Sequence, residues 1–257
     1  MNNKVNNAKA LYMEGIRDGN AKDVVEKYTG ARYTQHSTGV RDGKEGFLEF
    51  FEPFIKRNPI RDMDIVRSFA DGQYVFVHAY QSLNNGEAEW ITMDFFDTDN
   101  SDKIIEHWDV IAEFKGKNPS GRTQVDGATD ITDLEHTEKN KTVVRSMIED
   151  LLMRGGNIDN AGHYIHPDYI QHNPDAGDGL NTFIELLTAE DRPLWYNDIV
   201  LLIGCGNFVS VLSRAMWEEQ EYAQVDLFRL ENGLIVEHWD AAEPVPVKED
   251  LANSGKF

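Results

Sequence analysis

The sequence predicts an α+β protein of two tandem domains, each a layer of N-terminal helices on one strongly curved antiparallel sheet. The order of elements carries the class: helical periodicity comes first and an uninterrupted meander of strands follows, whereas a doubly wound sheet needs strands and helices to alternate. A repeat carries the duplication. Tyr33-Thr34-Gln35-His36 recurs as Tyr169-Ile170-Gln171-His172, and Asp42-Gly43 with Phe47 recurs as Asp178-Gly179 with Phe183. Asp94-Phe95-Phe96 then returns as Asp226-Leu227-Phe228, and Glu106-His107-Trp108-Asp109 as Glu237-His238-Trp239-Asp240. Four markers in the same order, with an offset drifting only from 136 to 131, require a tandem duplication. The predicted domains are residues 1–116 and 137–247. Between them, 117–136 is rich in Gly, Pro, Ser, Thr and Asp and reads as a linker, and 248–257 reads as a polar tail.

The elements follow in order. Val5 to Arg17 places Ala8, Leu11, Tyr12, Gly15 and Ile16 at helical spacing and stops at Asp18-Gly19-Asn20. Its counterpart, Glu138 to Arg154, carries Val143, Val144, Met147, Ile148, Leu151 and Leu152 and stops at Gly155-Gly156. Short second helices are predicted near 22–28 and 158–164, and third helices over 43–56 and 179–189. Four strands close each half: 63–70, 74–83, 88–97 and 103–114, then 196–203, 208–217, 221–230 and 234–243. Turn chemistry such as Asp71-Gly72, Asn84-Asn85-Gly86 and Glu231-Asn232-Gly233 bounds them.

Composition narrows the function. With 25 Lys+Arg against 45 Asp+Glu among 257 residues, the formal charge is −20, which repels phosphate backbones and anionic lipid. No nucleic-acid or membrane partner is expected. The single cysteine, Cys205, excludes an internal disulfide framework and sits between two glycines as a turn residue. The longest apolar tract, Ile199 to Leu212, is broken by Gly204, Gly206 and Asn207, and Met1–Gly15 has no signal-like apolar run. A cytoplasmic location is expected.

Residues two apart in a strand share a face, so His107 and Asp109 point one way and Trp108 the other, as do His238 and Asp240 against Trp239. Turn geometry predicts Asp94 across from His107. A three-residue Glu231-Asn232-Gly233 loop likewise predicts Asp226 across from His238, whereas a two-residue type I′ turn would set Asp226 against Trp239. Polar residues on one strand face are ordinarily the solvated face. Here that face also carries Phe96 and Ile105, or Phe228 and Val236, beside helices that must cover something, which points to a pocket wall. Zinc or iron could in principle be held by His36, His78, His107, Asp94 and Asp109, but no metal is expected. His163, His166 and Asp168 read as surface residues.

The run Tyr169-Ile170-Gln171-His172-Asn173-Pro174, the following Asp178-Gly179 and the closing Glu237-His238-Trp239-Asp240 resemble a SnoaL-like domain, of the nuclear transport factor 2-like superfamily of cone-shaped α+β folds. The resemblance covers nearly all of both halves. The first half departs from it at Ser37-Thr38, where the second has Asn173-Pro174, and His78 stands where the second has Leu212. The resemblance implies a pocket without cofactor or metal, in which Asp109 and Asp240 act as acid/base in an aldol-type cyclisation. Asp94 and His107, or Asp226 and His238, would be their catalytic partners, with His36, His78, His172 and Asn173 contacting the ligand. The implied partner is a hydrophobic or carbonyl-containing small molecule. The alternative is a non-catalytic ligand-binding or protein-interaction module of the same fold. The halves are expected to pack sheet to sheet as an intramolecular pseudo-dimer through Trp108, Trp239, Val110 and Ala241, with further homo-oligomerisation left open.

Overall fold

The computed structural model describes residues 3–190, 192 and 194–257. The chain divides into two compact units, one of residues 1–113 with 245–257 and one of residues 114–244. In the first unit, α1 (Asn3–Ala10) continues as π-helical turns over Leu11–Arg17 and is followed by α2 (Ala21–Tyr28), β1 (Thr29–Gln35) and α3 (Gly43–Arg57). The meander β2 (Arg61–Asp71), β3 (Tyr74–Leu83), β4 (Ala88–Thr98) and β5 (Ile104–Glu113) completes it. The second unit repeats this with α4 (Thr137–Met147) and π-helical turns over Ile148–Leu152, then α5 (Ala161–Tyr164), β6 (Ile165–Gln171) and α6 (Leu180–Thr188). Its strands are β7 (Trp195–Cys205), β8 (Phe208–Trp217), β9 (Gln220–Glu231) and β10 (Leu234–Pro244). The two sheets have matching orders, β1-β5-β4-β3-β2 and β6-β10-β9-β8-β7. The duplicated α+β fold is therefore present. Among the described residues no helix is long and apolar enough to cross a membrane.

In each unit the helices cover one face of the sheet. Leu11, Tyr12, Ile16, Val24 and Phe47 pack with Val75, Val77, Ala79 and Phe96. Val144, Met147, Ile148 and Leu151 do the same with Val209, Val211, Ala215 and Phe228. Burying these side chains is worth roughly 1.5–3 kcal/mol each, so the helical layer is fixed over the face that carries the polar cluster.

Three expectations are corrected. First, the sheets are not wholly antiparallel: β1 and β6 add a parallel edge strand beside β5 and β10. The helix before each runs into it without a turn residue, so no punctuation announces it. Second, the register differs. Asp94 lies across from Asp109 and Phe96 from His107; Asp226 lies across from Asp240 and Phe228 from His238. The β9–β10 turn is the two-residue type, with Asn232 and Gly233 both in the left-handed region at φ 52° and 82°. A bulge then leaves Val236 unpaired, and its counterpart Ile105 is unpaired in the first sheet. That extra residue returns the acidic side chains to one face, so the type I′ turn does not break the symmetry. Third, residues 117–136 are packed as part of the second unit and 248–257 as part of the first, rather than as a free linker and a tail.

Candidate functional site

Each unit builds its polar cluster on the helix-covered face from β1, β4 and β5 or from β6, β9 and β10. In the second unit, His238 Nε2 lies 2.9 Å from Asp226 Oδ1 and His238 Nδ1 lies 3.0 Å from Gln171 Oε1. The Gln171 amide is oriented independently, because the same oxygen accepts from the backbone N–H of Asn173 while its nitrogen donates to the Tyr169 hydroxyl. Both imidazole nitrogens therefore face acceptors, an arrangement only the imidazolium satisfies in full. Burial alone would push the His238 pKa down, but the Asp226 hydrogen bond and the charges of Asp240 and Asp226 outweigh it and raise it. The Tyr196 hydroxyl donates to Asp226 as well, at 2.9 Å.

Asp240 has different company. It accepts from Asn173 Nδ2 at 2.8 Å and from Gln224 Nε2 at 3.2 Å, both neutral amides. Desolvation raises its pKa; His238 opposes this and the Asp226 charge adds to it. These groups lie at the end of a cavity of about 110 Å³ whose remaining wall includes Met147, Leu152, Phe183, Leu187 and Phe228.

The first unit uses the same plan with other residues. His107 Nε2 meets Asp94 Oδ1 at 2.9 Å, His107 Nδ1 meets Gln35 Oε1 at 2.9 Å, and the Tyr12 hydroxyl donates to Asp94. Burial raises the Asp94 pKa, with His107 pulling against it. Asp109 differs from Asp240. Lys256 Nζ lies 3.1 Å from its Oδ1, with the lysine 3% exposed. Burial would raise the Asp109 pKa, but the Lys256 charge, then His107 and a Ser37 hydrogen bond, bring it below the ordinary value. The cavity here is larger, about 250 Å³, and is walled by Phe47, Phe50, Phe51, Phe54, Trp90 and Ile111 around Gln35, Ser37, Gln81, Thr92, His107 and Asp109.

Of the ten residues singled out from sequence, Asp109, His107, Asn173, Asp226, His238 and Asp240 line these cavities, and Asp94 is fully buried behind His107. His36, His172 and His78 are corrected as ligand contacts. His36 stacks on Trp108 at 4.9 Å and bonds Glu106, and His172 stacks on Trp239 at 4.7 Å and bonds Glu237. Both lie on the outer face because they directly follow the inward Gln35 and Gln171. His78 alternates outward from the inward Val77 and Ala79 and lies 3.2 Å from Arg67. Sequence reasoning missed Gln35 and Gln171, although both stand inside a repeated marker. It also missed Tyr12, Tyr196, Gln224 and Lys256. The two tyrosines reach equivalent aspartates from a helix in one unit and a strand in the other, so no repeat reveals them.

Donor atoms of Asp94, His107 and Asp109, and of Asp226, His238 and Asp240, lie within 4.8 Å of one another in each trio. A metal taking a histidine nitrogen in either trio would have to break that nitrogen's hydrogen bond to the aspartate or to the glutamine.

Comparison with known proteins bears on the fold just described. Residues 10–107 match the SnoaL-like domain family. That match spans most of the first unit and less than half of the chain. The second unit repeats the first unit's strand order. No curated protein matches the chain. Solved structures similar to this chain include a proposed ketosteroid isomerase from Kribbella flavida, 16% identical over 44% of this chain and 87% of the other, with a TM-score of 0.37. Another is a proposed SnoaL-like polyketide cyclase from Jannaschia, 18% identical over 45% and 92%, with a TM-score of 0.36. A third is an epoxide hydrolase from M. tuberculosis described as LEH-like, 14% identical over 42% and 85%, also with a TM-score of 0.36.

Proposed function

We propose that the second unit carries out acid/base chemistry on a small carbonyl compound, as an aldol-type cyclase or isomerase, with Asp240 as the base. The observation that carries this reading is the environment of Asp240: it faces an apolar cavity, its donors are neutral amides, and its pKa is raised. A carboxylate so placed is a better proton acceptor than one in water, because the charge it carries is poorly solvated and the proton it takes up is retained. Asp240 would remove a proton next to the carbonyl. Tyr169, whose oxygen accepts from Gln171 Nε2 and whose raised pKa keeps it protonated, would donate to the enolate oxygen. The His238 imidazolium would hold Asp226 as its counter-ion. That pairing leaves Asp240 as the member of the acidic pair that takes up the proton.

Turnover on a panel of ketones and diketo esters, comparing wild type with Asp240→Asn, tests the reading. Loss of turnover with an unchanged fold supports it; unchanged turnover refutes it. A second reading, ligand binding without chemistry, is favoured for the first unit by one observation, the Lys256–Asp109 ion pair.

A further inference from the structure

We propose that Lys256 is a positioning residue that commits the first unit to binding by holding Asp109 as a permanent ion pair, leaving proton transfer to the second unit. The proposal rests on the reading of Asp240 as a base.

The geometry explains why a lysine fits here and nowhere near Asp240. In the second unit the space around Asp240 is filled by Asn173 and Gln224, whose amides reach the carboxylate. At the matching positions the first unit has Ser37 and Thr92, both shorter, and the Thr92 hydroxyl is engaged with Tyr12. The gap is filled from the segment 245–257, which belongs to the first unit. That segment is anchored at two residues just before the lysine. Asn253 Nδ2 donates to the carbonyls of Ser37 and Val40, and the Gly255 carbonyl meets His36 Nδ1 at 2.6 Å. Lys256 Nζ also lies 3.5 Å from Thr38 Oγ1. The ammonium is thus delivered to Asp109 by a built structure, with its side chain 1% exposed.

The groups facing Asp109 come from every neighbouring element: Lys256 from the segment, His107 beside it on β5, Asp94 across on β4, Tyr12 from the helix and Tyr33 from β1. Lys256 offsets the repulsion from Asp94. Without it, two carboxylates would share a desolvated site with one imidazole, as Asp226 and Asp240 do. The ion pair also defines what the first cavity accepts. Its polar end carries balanced charge, and its mouth is flanked by the exposed Trp90 and Ile111. A neutral, largely apolar molecule with a hydrogen-bonding head fits that lining.

The test follows Asp109 directly. Its carboxyl carbon is titrated by NMR in the full chain, the resonance being assigned by its absence in Asp109→Asn. In wild type the midpoint is expected below the ordinary carboxylate range, and in Lys256→Met it is expected to rise by on the order of one pH unit or more. A wild-type midpoint at or above the ordinary range overturns the proposal without any lysine variant being made; so does a midpoint that Lys256→Met leaves in place. The second arm uses 5-nitrobenzisoxazole as a base probe. A carboxylate removes its C3 proton, the ring N–O bond breaks with the electron pair going to oxygen, and coloured 2-cyano-4-nitrophenolate is released. In an Asp240→Asn background, Lys256→Met should speed this reaction by about tenfold or more, and adding Asp109→Asn should abolish the gain. A raised Asp109 midpoint with no gain in rate overturns the division of labour. If Asp240→Asn reacts as fast as wild type, the second unit's assignment fails, while the Asp109 titration still judges Lys256.

Discussion

Asp226 and Asp240 stand directly across from each other on β9 and β10, yet only Asp226 receives the imidazole and a tyrosine hydroxyl. Two facing carboxylates repel, and the repulsion is relieved when one of them holds a proton. Asp226 is bonded to His238 and Tyr196. Asp240, bonded only to amides, is the one proposed above as the proton acceptor. Asp240→Asn keeps the shape and one acceptor oxygen for the amides of Asn173 and Gln224 but removes the base. Turnover of a carbonyl substrate should fall by about a hundredfold or more, with little change in melting temperature. Calorimetry and steady-state kinetics on the same preparation check both halves of the statement.

Much of this arrangement was legible in the sequence, for identifiable reasons. The duplicated Glu-His-Trp-Asp ending fixed which side chains share a face, because strand alternation is independent of the partner strand's register. The register itself was not legible. A bulge at Val236 or Ile105 inserts one residue without any compositional signal, and it compensated for a turn type that by itself would have moved Asp226 opposite Trp239. The resemblance alone implies His36 and His172 as ligand contacts, and with β1 and β6 unannounced in the sequence no strand alternation was available to test it. Lys256 lay in a segment with no periodicity at all. Its role depends on Ser37 and Thr92 being short, which is a property of packing in three dimensions.

Asp109 and Asp240 should make opposite contributions to stability as pH changes. The folded pKa of Asp240 lies above the ordinary 3.8, so the folded state holds a proton that the unfolded chain releases. That contribution is present at low pH and is lost as pH rises through the folded value. The folded pKa of Asp109 lies below 3.8, so its contribution is present above that value and is lost as pH falls through the depressed one. Urea unfolding from about pH 3 to about pH 8 should show Asp240→Asn gaining on wild type as pH rises. The deficit of Asp109→Asn should shrink on acidification.

Glu237 and Glu106 occupy equivalent positions with unequal burial. Glu237 bonds His172 at 2.9 Å and Arg229 at 2.7 Å, with its side chain 3% exposed; Glu106 bonds His36 and Arg32, with its side chain 18% exposed. Burial would raise the Glu237 pKa, but these partners bring it below the ordinary range. Glu237→Gln leaves Arg229 with Glu231 as its remaining charged partner, weakens the buried His172 contact and should cost about 1–3 kcal/mol. Glu106→Gln should cost clearly less. Chemical denaturation of the two variants side by side makes the comparison.

Gly127 tests whether the segment once read as a linker is part of the second unit's structure. Its φ is 94°, and a Cβ there would lie 2.1 Å from Glu237 Oε1, 2.7 Å from the Trp239 ring and 2.8 Å from His172 Nε2. The neighbouring Asp126 carbonyl accepts from Trp239 Nε1 at 2.9 Å. Gly127→Ala must displace that cluster and should destabilise by about 1–3 kcal/mol, visible as a lower melting temperature and altered tryptophan emission. Serine or alanine at Gly116, where a Cβ meets nothing within 4 Å, serves as the control for backbone strain alone.

The exchange of segments has a consequence for how the gene could be divided. The stretch after β5 completes the second unit, where the Thr123 carbonyl meets His172 and Asn118 holds the carbonyls of Gln171 and Asn173. The stretch after β10 completes the first, where Gly255 and Asn253 perform the corresponding tasks. The unit of duplication and the unit of folding therefore do not coincide. A fragment cut at the repeat boundary encodes one whole copy of the ancestral module and an incomplete body, short of the strip that seals its own histidine. A self-sufficient piece of the first kind would have to carry 245–257 together with residues 1–113. Recombination that takes residues 114–244 carries off a body with its own strip, whereas a cut between 136 and 137 separates each copy from the strip that closes it.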